Sequence, residues 1–218
     1  MGKPQTKFLL TEGKDDAYAV AGLMSQHVRW GANEDEWPVK IEAAGSVSEL
    51  LDPSYLRAWL KRSGLEALGI LLDANENFDG RWTGVRNTCS QTFDGFPQDL
   101  PSDGLVVVGG NGLRLGIWIM PDNQSHGMLE TFLGYMVPQE GRPLWQFAIE
   151  ACGEARQRGA TYKAVHEDKA RIHSWLAWQD PPGRPFGEAL KAKCLRTDSP
   201  IATSFVAWFV RLFDLQRF

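Results

Sequence analysis

Short apolar runs alternate with amphipathic stretches through the first half of this 218-residue chain. An alternation of that kind leaves few folds open besides a sheet layered with helices. Lys7 to Thr11 reads as a buried strand, and Asp15 to Val28 sets Ala17, Val20, Ala21 and Met24 at helical spacing. Val39 to Ala43 is a second strand ending at Gly45, followed by a helix from Tyr55 to Arg62 with Leu56, Trp59 and Leu60 on one face. Leu68 to Leu72 is a third strand, bounded by Gly64 and the polar run Asp73 to Asn77, and Phe78 to Gln91 reads as a further helix. Leu105 to Val108 and the alternating Leu113, Leu115, Ile117 and Ile119 flank Asn111-Gly112. An Asn-Gly pair between apolar runs predicts an antiparallel hairpin toward one side of the sheet. Met128 to Val137 resumes as a helix.

From Leu144 onward the spacing is helical throughout. Leu144, Phe147, Ala148, Ala151, Cys152 and Ala155 share one face. Val165 to Leu176, Phe186 to Cys194 and Phe205 to Phe213 continue the pattern, with a break at Asp180-Pro181-Pro182-Gly183. These readings divide the chain into an α/β part, residues 1–138, and a helical C-terminal extension, residues 139–218, packed on it. No apolar run approaches the ~18 residues of a membrane span, and Met1 to Pro4 leads into a segment unlike a signal peptide. Cys89, Cys152 and Cys194 have neither disulfide-framework nor zinc-type spacing, which makes the reducing cytoplasm the expected compartment.

Three acids fall at matching places: Glu12 after the first strand, Asp73 after the third, Asp122 after the strand that ends at Met120. Parallel strands would bring all three to the edge where open α/β sheets bind ligands. Glu130, beyond Gly127, would open the next helix and point back at them. Carboxylates gathered so closely repel unless a cation intervenes. Oxygen donors without His or Cys suit Mg²⁺ or Mn²⁺, and two such ions about 3.5–4 Å apart would serve phosphodiester hydrolysis. Asp15 and Asp16 read most simply as charges that favour a helix N-terminus. Charge is also uneven: residues 1–141 carry 11 Lys and Arg against 19 Asp and Glu, and residues 142–218 carry 12 against 8. A basic half beside an acidic one suits a protein that gathers cations and holds a polyanion next to them.

These residues carry a resemblance. Leu9-Leu10-Thr11-Glu12-Gly13-Lys14-Asp15-Asp16 resembles the Glu-Gly-…-Asp opening of the TOPRIM domain, and Gly45-Ser46-Val47 resembles its glycine after the second strand. Ile70 to Asn75 resembles its Asp-x-Asp motif, and Ile119 to Glu130 resembles the Asp-…-Gly-x-Leu-Glu element of the overcoming-lysogenisation-defect (OLD) nucleases. The chain looks like a small stand-alone relative of those proteins without their ATPase. Its tail, from Asp168 to Trp208, is similar to that of an uncharacterised bacterial family of TOPRIM-like proteins. The resemblance implies a Rossmann-like, TOPRIM-like, mostly parallel sheet flanked by helices. It implies Glu12 as acid, base or metal ligand, Asp73 and Asn75 as metal ligands, and Asp122 with Glu130 for a second ion. Asn75 stands where the motif has an aspartate, a neutral and weaker ligand for Mg²⁺. A downstream lysine stabilises charge on the phosphate in this pattern, and Lys169 is the candidate, with Lys163 in reserve. Nucleic acid, DNA first, is the implied partner, with Lys14, Lys163 and Arg171 as its contacts, and defence against mobile DNA is the implied setting.

Two other readings fit parts of the chain. A TOPRIM-like module that binds nucleic acid or a partner protein without cleaving would explain Asn75. A phospho-acceptor domain would use Asp15, Asp16, Asp73 and a lysine, but has no use for Glu12, the Asp122/Glu130 pair or the long tail. Gly109 to Gly112 lacks the Lys-Ser/Thr of a phosphate loop and leads into a strand. His126 lies beside the acidic edge as a loop residue. The tail tryptophans Trp145, Trp175, Trp178 and Trp208 have the spacing of helix core before that of a base-stacking platform.

Overall fold

The computed structural model describes residues 5–218, so the segment Met1 to Pro4 lies outside it. Five strands form one sheet: β1 (Lys7–Thr11), β2 (Lys40–Ala43), β3 (Ala67–Asp73), β4 (Leu105–Val108) and β5 (Arg114–Met120), in the order β2-β1-β3-β5-β4. The first three and β5 run parallel, and β4 lies antiparallel at the edge, joined to β5 through Gly109 to Leu113 as the Asn-Gly signal predicts. The fold is therefore mixed α/β with a mostly parallel sheet. Central β3 reads Ala-Leu-Gly-Ile-Leu-Leu-Asp, the near-continuous apolar run of a strand covered on both faces.

The helices are α1 (Lys14–Met24), α2 (Val47–Leu50), α3 (Pro53–Leu60), α4 (Phe78–Cys89), α5 (Leu129–Tyr135), α6 (Arg142–Gln157), α7 (Glu167–Ala177), α8 (Phe186–Lys191) and α9 (Pro200–Phe213). Alternation along the strands sorts them into two layers. Phe8, Leu10, Leu68, Ile70, Leu72, Leu115, Ile117 and Ile119 face α3 and α4 through Leu56, Leu60, Trp82 and Val85. Leu9, Leu71, Trp118 and Met120 face the opposite layer, where α1, α5, α7, α8 and α9 share a single core. Among the described residues no helix is long and apolar enough to cross a membrane.

Several boundaries move for local reasons. The first helix stops at Met24 because Ser25 turns the chain, its hydroxyl donating to the Gly22 carbonyl at 2.8 Å. The third begins at Pro53, where Asp52 accepts from the N–H groups of Ser54 and Tyr55 and proline fits the first helical position. The last begins at Pro200, capped by Ser199, well before the apolar run that marks it in the sequence. The single turn α2, capped by Ser46, has too few residues to leave a periodic signal.

Two glycine pairs let neighbouring elements approach closely. Gly69 and Gly116 are register partners on β3 and β5, and a Cβ on either would meet Leu212 of α9 within 3.1 Å. The pair forms a furrow in which α9 lies directly on the sheet. Gly22 of α1 and Gly187 of α8 are similarly close, with an added Cβ on Gly22 falling 2.5 Å from the Gly187 carbonyl oxygen.

Candidate active site

Strand order places β1 between β2 and β3, so the chain leaves β1 toward one side and returns on the other. In an open α/β sheet that reversal opens a crevice at the carboxyl ends of the strands. Glu12 follows β1 and Asp73 ends β3, one on each side of it, and Glu12 Oε1 accepts from the Asp73 backbone N–H at 2.9 Å. Asp73 Oδ1 in turn accepts from the Leu129 N–H at 2.9 Å, at the start of α5. The backbone approaches because Asn75 and Gly127 exchange hydrogen bonds at 2.6 and 2.9 Å, folding the loop after β5 back over β3.

That loop sets Glu130 in the first turn of α5, where it is 4% exposed and takes an ion pair from Lys169 Nζ at 3.1 Å. Lys169 belongs to α7, so the tail supplies the cation that closes the site. Asp16 completes the group. Its Oδ2 accepts from the Gly13 N–H at 2.8 Å, the return half of a capping box, which turns its carboxylate back toward Glu12. The cavity holds about 410 Å³ and is lined by Glu12, Asp16, Asp73, Asn75, Glu130 and Lys169, with Lys14 and His166 at its rim.

Burial dominates the electrostatics. It raises the Asp73 carboxyl well above the ordinary aspartate value, and the negative fields of Asp16, Glu12 and Glu130 add to the rise against the Leu129 N–H. Asp16 is pushed up to about 7 by burial first, then by Glu12, Glu130 and Asp15. Glu12 is raised by burial, with the Asp73 N–H and the Arg81 guanidinium pulling the other way. At Lys169, desolvation works to lower the pKa and Glu130 to raise it, and Glu130 prevails.

A carboxyl raised in this way binds its proton more tightly folded than unfolded. The stabilisation is present below about pH 4, where the unfolded group is protonated, and is gone once the pH has climbed through the Asp16 value of about 7. In EDTA the protein is therefore expected to lose thermal stability between pH 4 and pH 8, with Mg²⁺ or Mn²⁺ restoring it at pH 8. An Asp16→Asn variant should flatten the profile by on the order of a few kcal/mol, since each pKa unit is worth about 1.4 kcal/mol. Melts that run parallel in both proteins would show that Asp16 carries no such strain.

The donor set suits a hard cation. Glu12 and Asp73 each spend one oxygen on a backbone N–H, and among the described residues the other takes no protein hydrogen bond. No three His, Cys, Asp or Glu side chains among the described residues converge as a ready-made ion cage. Mg²⁺ seldom asks for one: it rides on one or two carboxylates and keeps water in its remaining places.

Asp122 is the site residue that the structure places elsewhere. Its Oδ1 accepts from the N–H groups of Gln124 and Ser125 and its Oδ2 from the Ser125 hydroxyl at 2.8 Å, so the carboxylate closes its own turn and does not line the cavity. Glu130 is paired with Lys169 and lines the cavity, whereas Asp122, expected beside it for a second ion, is not among the cavity's lining residues. The Arg171 guanidinium is paired with Glu167 and Asp168 at 2.7 and 2.8 Å. Lys163 is exposed ahead of α7, and His126 is exposed and lines a smaller neighbouring cavity with Asn75 and Arg171. Trp175 and Trp208 are core, as their spacing predicts, whereas Trp178 is half-exposed and stacks on Phe147. Asp16 and His166 are the residues the sequence reading missed. The signal for Asp16 was its place in the first helical turn after a strand-end acid.

Fold and site together define a class: a mixed α/β protein whose acidic cavity lies at the switch point of a mostly parallel sheet. Residues 6–214 match the family model described as Protein of unknown function (DUF3226), and the chain belongs to that family. No curated protein and no solved structure matches it.

Proposed function

We propose that this chain hydrolyses phosphodiester bonds in nucleic acid at the acidic cavity, with Mg²⁺ or Mn²⁺ as its cofactor, and that its fold is TOPRIM-like in the manner of the OLD nucleases. The observation that carries the reading is the gathering of Glu12, Asp16, Asp73 and Glu130, with Lys169, around the carboxyl ends of β1 and β3. Glu12 and Asp73 would hold the ion, with Asn75 beside them as a neutral oxygen donor. The ion supplies charge neutralisation and acidifies a coordinated water. Asp16, turned into the cavity beside Glu12, would take a proton from the attacking water. Lys169 gives one N–H to Glu130 and keeps two for a phosphate oxygen. Lys14 at the rim and exposed Lys163 would steer the polyanion, DNA first. The free cysteines agree with a cytoplasmic setting, and defence against mobile DNA is the role this reading suggests.

Incubation with plasmid and single-stranded DNA under Mg²⁺ or Mn²⁺ should give cleavage that EDTA stops. Lys169→Met is expected to slow it about 100-fold, with Lys169→Arg recovering part of the rate. Unchanged rates in Lys169→Met would remove the lysine from the chemistry. Binding without cleavage under either metal would favour a second reading, a non-hydrolytic nucleic-acid or protein module. Asn75 in the Asp-x-Asp position and the closure of Glu130 by Lys169 are the features on its side.

A further inference from the structure

A second cavity is separate from the acidic one but shares a wall with it. It holds about 550 Å³ between α1, α8 and the segment before β2, and Asp15 lines both spaces. Its walls are aromatic. Tyr18, 48% exposed, meets Trp37 edge to face with centroids 6.5 Å apart, and across α8 His173 stacks on Phe186 at 4.9 Å and 28°. Gly187, part of its lining, packs against the backbone at Gly22.

The rim is rich in acceptors. Glu34 receives the Tyr18 hydroxyl at 3.0 Å, Asn33 lies beside it, and Lys191 is paired with Glu188. Such a rim repels phosphate. Its acceptors match the N–H edge of a neutral heterocycle, and its rings match such a heterocycle's π-face. A paired base cannot enter, because its edge and faces are already occupied in the duplex.

We infer that this pocket receives an unpaired base of the nucleic acid whose backbone crosses the acidic cavity, which makes the substrate single-stranded or locally unpaired. The inference rests on the proposed hydrolytic reading and adds its substrate class. The phosphate next to the seated base lies toward Asp15 and the carboxylates beyond it. Tyr18 and His173 act as binding residues and take no part in the reaction at Glu12 and Asp73.

The test uses the full chain with Ca²⁺ in place of Mg²⁺, which keeps the carboxylates neutralised while binding is measured apart from cleavage. Single-stranded oligonucleotides carrying 2-aminopurine at successive positions should show quenching confined to one position, and a matching duplex should bind more weakly. Tyr18→Ala and His173→Ala, both at exposed side chains, should each weaken binding about tenfold, the scale of one lost base–aromatic stack. Tyr18→Phe, which keeps the ring, should retain the signal. Equal binding of duplex, or affinities unmoved by both alanine variants, would overturn the inference. Nile red taken up by the pocket and not displaced by any oligonucleotide would overturn it in favour of a non-nucleotide apolar ligand. Metal-dependent cleavage without position-specific quenching would sink the base pocket and leave the hydrolytic reading standing. Quenching without cleavage would do the reverse.

Discussion

An Asp73→Asn variant is expected to lose on the order of a thousandfold in metal-dependent cleavage, the loss that several kcal/mol of transition-state stabilisation represent. The same variant should melt higher than the parent in EDTA at pH 8. Asparagine keeps an oxygen to accept the Leu129 N–H but removes a charge that burial and three neighbouring carboxylates disfavour. At about 2–4 °C per kcal/mol for a chain of this size, a relief of 1 kcal/mol or more is readily measured. At pH 4 the gap should close, because the parent carboxyl is then protonated as well. Opposite signs for rate and stability separate a functional carboxylate from a structural one. A variant that is both less stable and fully active would refute the assignment.

Gly22→Ala is expected to destabilise the fold by about 1–3 kcal/mol, the usual cost of forcing extra atoms into a packed interface. Helix propensity alone argues for the opposite sign, a gain of about 1 kcal/mol when glycine inside a helix becomes alanine. The new methyl would fall 2.5 Å from the Gly187 carbonyl oxygen and 2.7 Å from its Cα, main-chain atoms that cannot rotate aside. The helices would have to separate, moving the Gly187 wall of the aromatic pocket and shifting the N-terminal turn that carries Asp15 and Asp16. Denaturant unfolding of the variant checks the sign, and a more stable protein would show that the crossing tolerates separation.

Much of the sheet is legible in the residues. The strands appear as apolar runs of the right length, and Asn111-Gly112 announces the antiparallel edge. The acidic crevice is legible in part. Glu12 and Asp73 are found because strand ends in a parallel sheet must share an edge, but the same logic misplaces Asp122. A strand-end acid can satisfy its own turn, and only the positions of the Gln124 and Ser125 N–H groups reveal that it does. Asp16 is hidden for the converse reason: a first-turn aspartate looks like a helix charge whether or not it also turns inward. The partners of the tail helices are not legible at all. Periodicity says that α7, α8 and α9 each bury a face, but not that one brings Lys169 to Glu130, another meets α1 through glycine, and the third covers the sheet.

The furrow at Gly69 and Gly116 bears on how the chain reaches this state. The Lys7 ammonium donates to the Phe213 carbonyl across 206 positions, so strands translated early wait for a lid translated some two hundred codons later. Until then one flank, with Trp118 at its centre, stays naked on the nascent chain. Pairings this distant in sequence close slowly and leave greasy intermediates open to self-association. Yield on expression, and reliance on holdase chaperones, should accordingly hinge on the last helical segment more than on the strands it shelters.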